Sequence, residues 1–159
     1  MHQKLYFSKL LLERARVESG QVQLALPEGA VMHLAVAYRC HVAAIAAQYD
    51  QLLQSGEHAI ELTQRLVQQG VDAAELNELA TLEKKAWAGD LLRLAAATVA
   101  PADPDEERRP PTSSVGIAVL QLDAQSPAAD PQHHIQQLSE WHADFSELVA
   151  AQHASLQEW

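Results

Sequence analysis

With 159 residues, 48% of them hydrophobic and only 5% aromatic, the chain suits one helical domain packed through alanine, the strongest helix former and a poor strand former. Its net charge of −10 is unevenly spread: residues 1–50 carry Lys4, Lys9, Arg14, Arg16 and Arg39 against four acids, whereas residues 101–159 carry Arg108 and Arg109 against ten. An acidic final third has no basic stripe with which to displace phosphate counterions, which argues against nucleic acid and anionic membrane as partners.

In chain order, residues 3–19 are predicted to form a first, basic helix with Leu5, Phe7, Leu10, Leu11 and Val17 apolar, stopped by Gly20. Gln21–Leu26 alternates as a short strand would but is ambiguous between strand and helix, and Pro27 is placed to open the next helix at its first turn. That helix, 28–54, is the clearest element, because Val31, Ala35, Tyr38, Val42, Ile45, Tyr49 and Leu52 repeat with four-three spacing. A parallel row of His33, Ala37, Cys40, Ala44 and Ala47 has side chains small enough for a second helix to approach. Gly56 marks a break before a helix at 57–69, which Gly70 ends. Asp72 then reads as the N-cap of a long helix over 73–99, with Trp87 on or beside its apolar face.

Residues 100–114 hold four prolines among charged residues and read as a mobile linker. Val115–Leu122 is apolar and fits either a buried helix or a strand, whose partner would be Gln21–Leu26. Asp130-Pro131 is a strong helix start, and the last helix spans 131–157 with Ile135, Leu138, Trp141, Phe145, Leu148, Val149 and Leu156 apolar. The expected fold is therefore all-α: one domain, an antiparallel bundle of four long helices plus a short fifth, in which the basic first helix lies beside the acidic last one.

Chemical signatures are sparse. No histidine follows a glutamate by three residues, as the di-iron sites of helical bundles require, and no two histidines stand four apart to share a zinc ion. Cys40 is the sole cysteine, so an intramolecular disulfide is excluded, and its setting among alanines predicts a buried, inert thiol. The glycines are scattered singly and no Gly-x-Ser-x-Gly elbow occurs, so neither a phosphate loop nor that class of nucleophile is present. No catalytic residue, metal ligand or cofactor is assigned. The opening Met1-His2-Gln3-Lys4 lacks a signal-peptide pattern, and the apolar stretch Gly29–Tyr49 contains His33, Arg39, His41 and Gln48, so a cytoplasmic protein with no membrane span is expected.

Gln3-Lys4-Leu5-Tyr6-Phe7, the His33-Leu34 region and the terminal Glu158-Trp159 resemble a family of small uncharacterised all-helical proteins from gammaproteobacteria. The resemblance implies a bacterial cytoplasmic helical protein and carries no activity with it. Two functional expectations follow from the residues. The first is a non-enzymatic domain acting through protein contacts, with itself as a homodimer or with another protein, anchored by Trp87, Trp141 and Trp159. The second is a small-ligand or metal-binding bundle with an interior pocket near Tyr38, His41, Tyr49 and Trp87.

Overall fold

The computed structural model describes residues 1–99 and 131–157, which form six helices: α1 (His2–Ala15), α2 (Gly20–Gln48), α3 (Ala59–Gln68), α4 (Ala74–Lys85), α5 (Trp87–Val99) and α6 (Pro131–Gln157). The fold is all-α, and no strand occurs among the described residues. The 100–114 linker, the ambiguous 115–122 segment, the Asp130 N-cap and Trp159 lie outside them.

The hub is α2, which packs against α1, α4, α5 and α6. It begins earlier than its sequence suggests. Gln21–Leu26 is helix, not strand, and Pro27 sits inside α2, buried, not at its first turn. Proline denies the carbonyl four residues back its helical donor, but α1 lies antiparallel along this stretch and covers it. Ser8 Oγ donates to the Ala30 carbonyl at 3.0 Å, Leu11 reaches Gly29, and Phe7 meets His33. The turn that permits this uses Gly20 at φ +64, after α1 has ended at Ala15, four residues short of the expected boundary.

At its other end α2 stops at Gln48, six residues early, in a Schellman motif: Asp50 N donates to Ala47 O and Gln51 N to Ala46 O, with Asp50 left-handed at φ 55. The seam therefore runs out. Val31, Ala35, Tyr38, Val42 and Ile45 are buried, Tyr49 is half-buried, and Leu52 lies beyond the helix, 84% exposed. The second row fails too. Ala37 is buried, but Cys40, Ala44 and Ala47 are exposed, because α6 sits on the row that carries Tyr38 and His41. Cys40 is thus a surface thiol, contrary to expectation.

The stretch expected as one helix over 73–99 is two. Ala86, extended at φ −142 and ψ −167, separates α4 from α5, so that both can pack on α2. Asp72 is not the N-cap of α4; that position is Ala73, and the Asp72 carboxylate instead accepts from Asn77 Nδ2 at 2.8 Å. The last helix begins and ends where the sequence placed it. It packs on α1 as well as α2, yet the ion pairs of α1 do not cross to α6: Lys9–Glu13 lies within the helix, and Arg14 reaches Glu18 in the turn that follows it.

By length and composition α2 is apolar enough to cross a membrane; 56% of its most apolar window is buried against the rest of the fold, as suits a core helix.

Candidate functional site

Two polar chains lead out of the core from adjacent turns of α2. Tyr38 and His41, 1% and 2% exposed, are the polar members of the α2 face that α4, α5 and α6 cover. Tyr38 Oη donates to Glu83 Oε1 on α4 at 3.2 Å and approaches the Leu79 carbonyl at 3.4 Å. The same carboxylate, its side chain 3% exposed, accepts from the backbone amides of Ala59 at 3.0 Å and Ile60 at 3.1 Å. Those two amides open α3, where donors have no helical partner and the macrodipole favours negative charge. Glu61 completes the cap by accepting from His58 N at 2.9 Å.

His41 Nε2 donates to Gln152 Oε1 on α6 at 2.7 Å, and Gln152 Nε2 donates to the exposed Glu78 on α4 at 2.8 Å. The middle member is an amide. It orients the imidazole but does not relay a proton, because it has no titratable group.

Around these polar atoms the aromatic rings close ranks. Phe145 of α6 lies 5.7 Å from Tyr38, 5.7 Å from His41 and 5.8 Å from Trp87, and Trp87 meets Tyr38 edge-on at 5.9 Å. The structure thus brings together Tyr38, His41 and Trp87, three of the residues expected to line an interior pocket, but their rings and Phe145 fill the space between them. Tyr49 is elsewhere, donating to Glu75 at 2.8 Å. Trp141 is half-buried at the edge of the core and contributes no ring to the cluster. Sequence reasoning missed Glu83, Gln152 and Phe145 as members. A signal existed for the first two: Glu83 is in register with Leu76 and Leu79, and Gln152 with Phe145 and Val149, so each is a polar residue on an apolar stripe.

Electrostatics agree with a structural role. Burial, then the negative charge and hydrogen bond of Glu83, holds the Tyr38 hydroxyl protonated far above the usual phenol range. Tyr49 is pushed up to about 12, chiefly by burial and by Glu75. His41 is lowered by burial, against the opposing pull of its Gln152 hydrogen bond, and the nearby His153 lowers it further. His134, whose buried Nε2 has no hydrogen-bond partner among the described residues, is lowered by burial and by His133. Among the described residues no group of three or more His, Cys, Asp or Glu is arranged to hold a metal ion.

The lowered His41 predicts how stability follows pH. Folded His41 stays neutral while the unfolded imidazole protonates below its ordinary 6.5, so the unfolded state binds more protons in that window. Stability is full above pH 6.5 and falls as the pH drops towards the folded value, by at most about 1.4 kcal/mol per pH unit from this group. Urea midpoints between pH 8 and 5 measure it. His41→Leu flattens the slope by up to one proton; an unchanged slope refutes the assignment.

A cleft of about 150 Å³ lies between α1 and α6, lined by Lys9, Leu12, Glu13, Arg16, Ser139 and His142. Neither a curated protein nor a solved structure matches the chain. A family model does, over residues 1–159: the chain belongs to DUF6586, a family of unknown function.

Proposed function

We propose that the protein is a non-enzymatic, cytoplasmic helical protein that acts through protein contacts, the first of them with a second copy of itself. One observation carries the reading. On α1, Tyr6 and Leu10 are 59% and 41% exposed, and their spacing of four residues places them in one stripe, while Val17, in the turn after α1, is 74% exposed. Across the turn, Val22 and Leu24 of α2 are 51% and 41% exposed at the same end as Val17. Apolar side chains held in water along α1 and around its turn into α2 suit a partner that buries them. The interior supports the same reading from the other side, since Tyr38 is engaged with Glu83, Glu83 with the amides that open α3, and His41 with Gln152. The acidic charge balance disfavours nucleic acid and anionic lipid as alternatives.

Sedimentation velocity over a dilution series tests the proposal. A dimer that dissociates on dilution is expected, and Leu10→Glu, at an exposed position, is expected to leave a folded monomer with unchanged helicity. A chain that is monomeric at every concentration, or a dimer indifferent to Leu10→Glu and Val17→Glu, overturns it.

A further inference from the structure

We infer that the cleft between α1 and α6 is a binding site for a small oxyanion, a carboxylate or a phosphate; this goes beyond the protein-contact reading and does not depend on it. The protein as a whole carries a charge of −10, yet the cleft lining holds two cations, Lys9 and Arg16, against one acid, Glu13. Glu13 is matched by Lys9 on its own helix at 3.8 Å, and Arg16 has no ion pair among the described residues, so the guanidinium is the uncommitted charge.

The opposite wall is as informative. The acids of α6, Glu140, Asp144 and Glu147, are absent from the lining, and this helix contributes Ser139 and His142 instead. Both are already tied to carbonyls: Ser139 Oγ donates to Ile135 O at 2.7 Å, and His142 Nε2 donates to Leu5 O across the helix interface at 3.1 Å. They fix the wall, and the donor left for a ligand is the Arg16 fork, with the Lys9 ammonium, paired to Glu13, beside it. Leu12, 3% exposed, forms an apolar floor. A planar fork beside a point cation is suited to the paired oxygens of a carboxylate or phosphate. The volume of about 150 Å³ lies below the roughly 300 Å³ at which pockets for drug-sized ligands begin, which sets the ligand class at a small ion and not a nucleotide.

Backbone amide NMR titration with inorganic phosphate and, separately, with succinate, at constant ionic strength, reads the site directly. Saturable shifts confined to residues near 9–16 and 139–142 are expected, with dissociation constants on the order of 1 mM because both donors are exposed to screening solvent. Arg16→Ala is expected to weaken binding about tenfold, whereas Arg93→Ala, which removes a cation from α5, leaves it unchanged. Tighter phosphate identifies a phosphoryl ligand and tighter succinate a carboxylate. The inference is overturned by shifts that do not saturate, by shifts centred elsewhere, or by equal weakening in the two arginine variants.

Discussion

Glu83→Ala is expected to cost about 3–4 kcal/mol of folding stability, the sum of three lost acceptor contacts less the relief of leaving no buried charge. Glu83 is a single carboxylate serving three donors on two other helices: Tyr38 on α2 and the first two amides of α3. Removing it strands both amides at a helix start, where the loss of a cap alone is worth about 1 kcal/mol. Tyr38 keeps only the longer contact with Leu79 O at 3.4 Å. Urea denaturation measures the total, and amide exchange localises it: protection at Ala59 and Ile60 should fall more than protection in α6. Glu83→Gln retains one acceptor oxygen but replaces the other with a donor, so it should fall between wild type and alanine. A loss under about 1 kcal/mol in Glu83→Ala, within the range of an ordinary surface substitution, would falsify the strut.

The strut explains why part of this fold is legible in the sequence and part is not. The proline at 131 marked where α6 starts, and periodicity found its apolar face and the Val31–Ile45 portion of the α2 seam, because both depend on one face being apolar. It failed where a boundary depends on the backbone conformation of one ordinary residue. Gly70 announces its Schellman motif, with φ +77 and Val71 N donating to Leu66 O. Asp50 ends α2 through the same motif without a glycine to announce it. The extended Ala86 carries no signal at all, since alanine is the residue least expected to interrupt a helix. Cys40 shows a different limit: on an alanine-rich helix several rows are small enough to be packed, and which one is covered depends on where Phe145 and Gln152 of α6 find Tyr38 and His41. The site divides in the same way. Tyr38, His41 and Trp87 were visible as polar or aromatic residues near an apolar face, but their partners lie 41 or more residues away for Tyr38 and 111 away for His41. No local pattern pairs them.

Gly89→Ala is expected to destabilise by about 3 kcal/mol, although the same exchange in an unencumbered helix stabilises by up to about 1 kcal/mol. The sign turns on one approach. Gly89 lies in the first turn of α5, its amide directed to the Ala86 carbonyl at 3.3 Å, and a Cβ there would run into the carbonyl oxygen of Glu83. The obstacle is backbone, so no rotamer relieves it; α5 must shift away from α4. That shift would propagate to Trp87, two residues earlier, whose ring rests on Tyr38 and Phe145, and to the carboxylate of Glu83 itself. The thermal midpoint should drop by roughly 6–12 °C for a chain of this size, with a change in tryptophan emission as Trp87 loses its packing. Gly29→Ala is the matched control. Its Cβ would meet only the Leu11 Cδ1 at 3.1 Å, the far end of a flexible side chain, and the helix-propensity gain there offsets the small rearrangement. The two variants should therefore separate by several kcal/mol although both replace a helical glycine with alanine. Equal stability of the pair would mean that the α4–α5 elbow has slack, and that the close packing around Ala86 does not hold Trp87 in place.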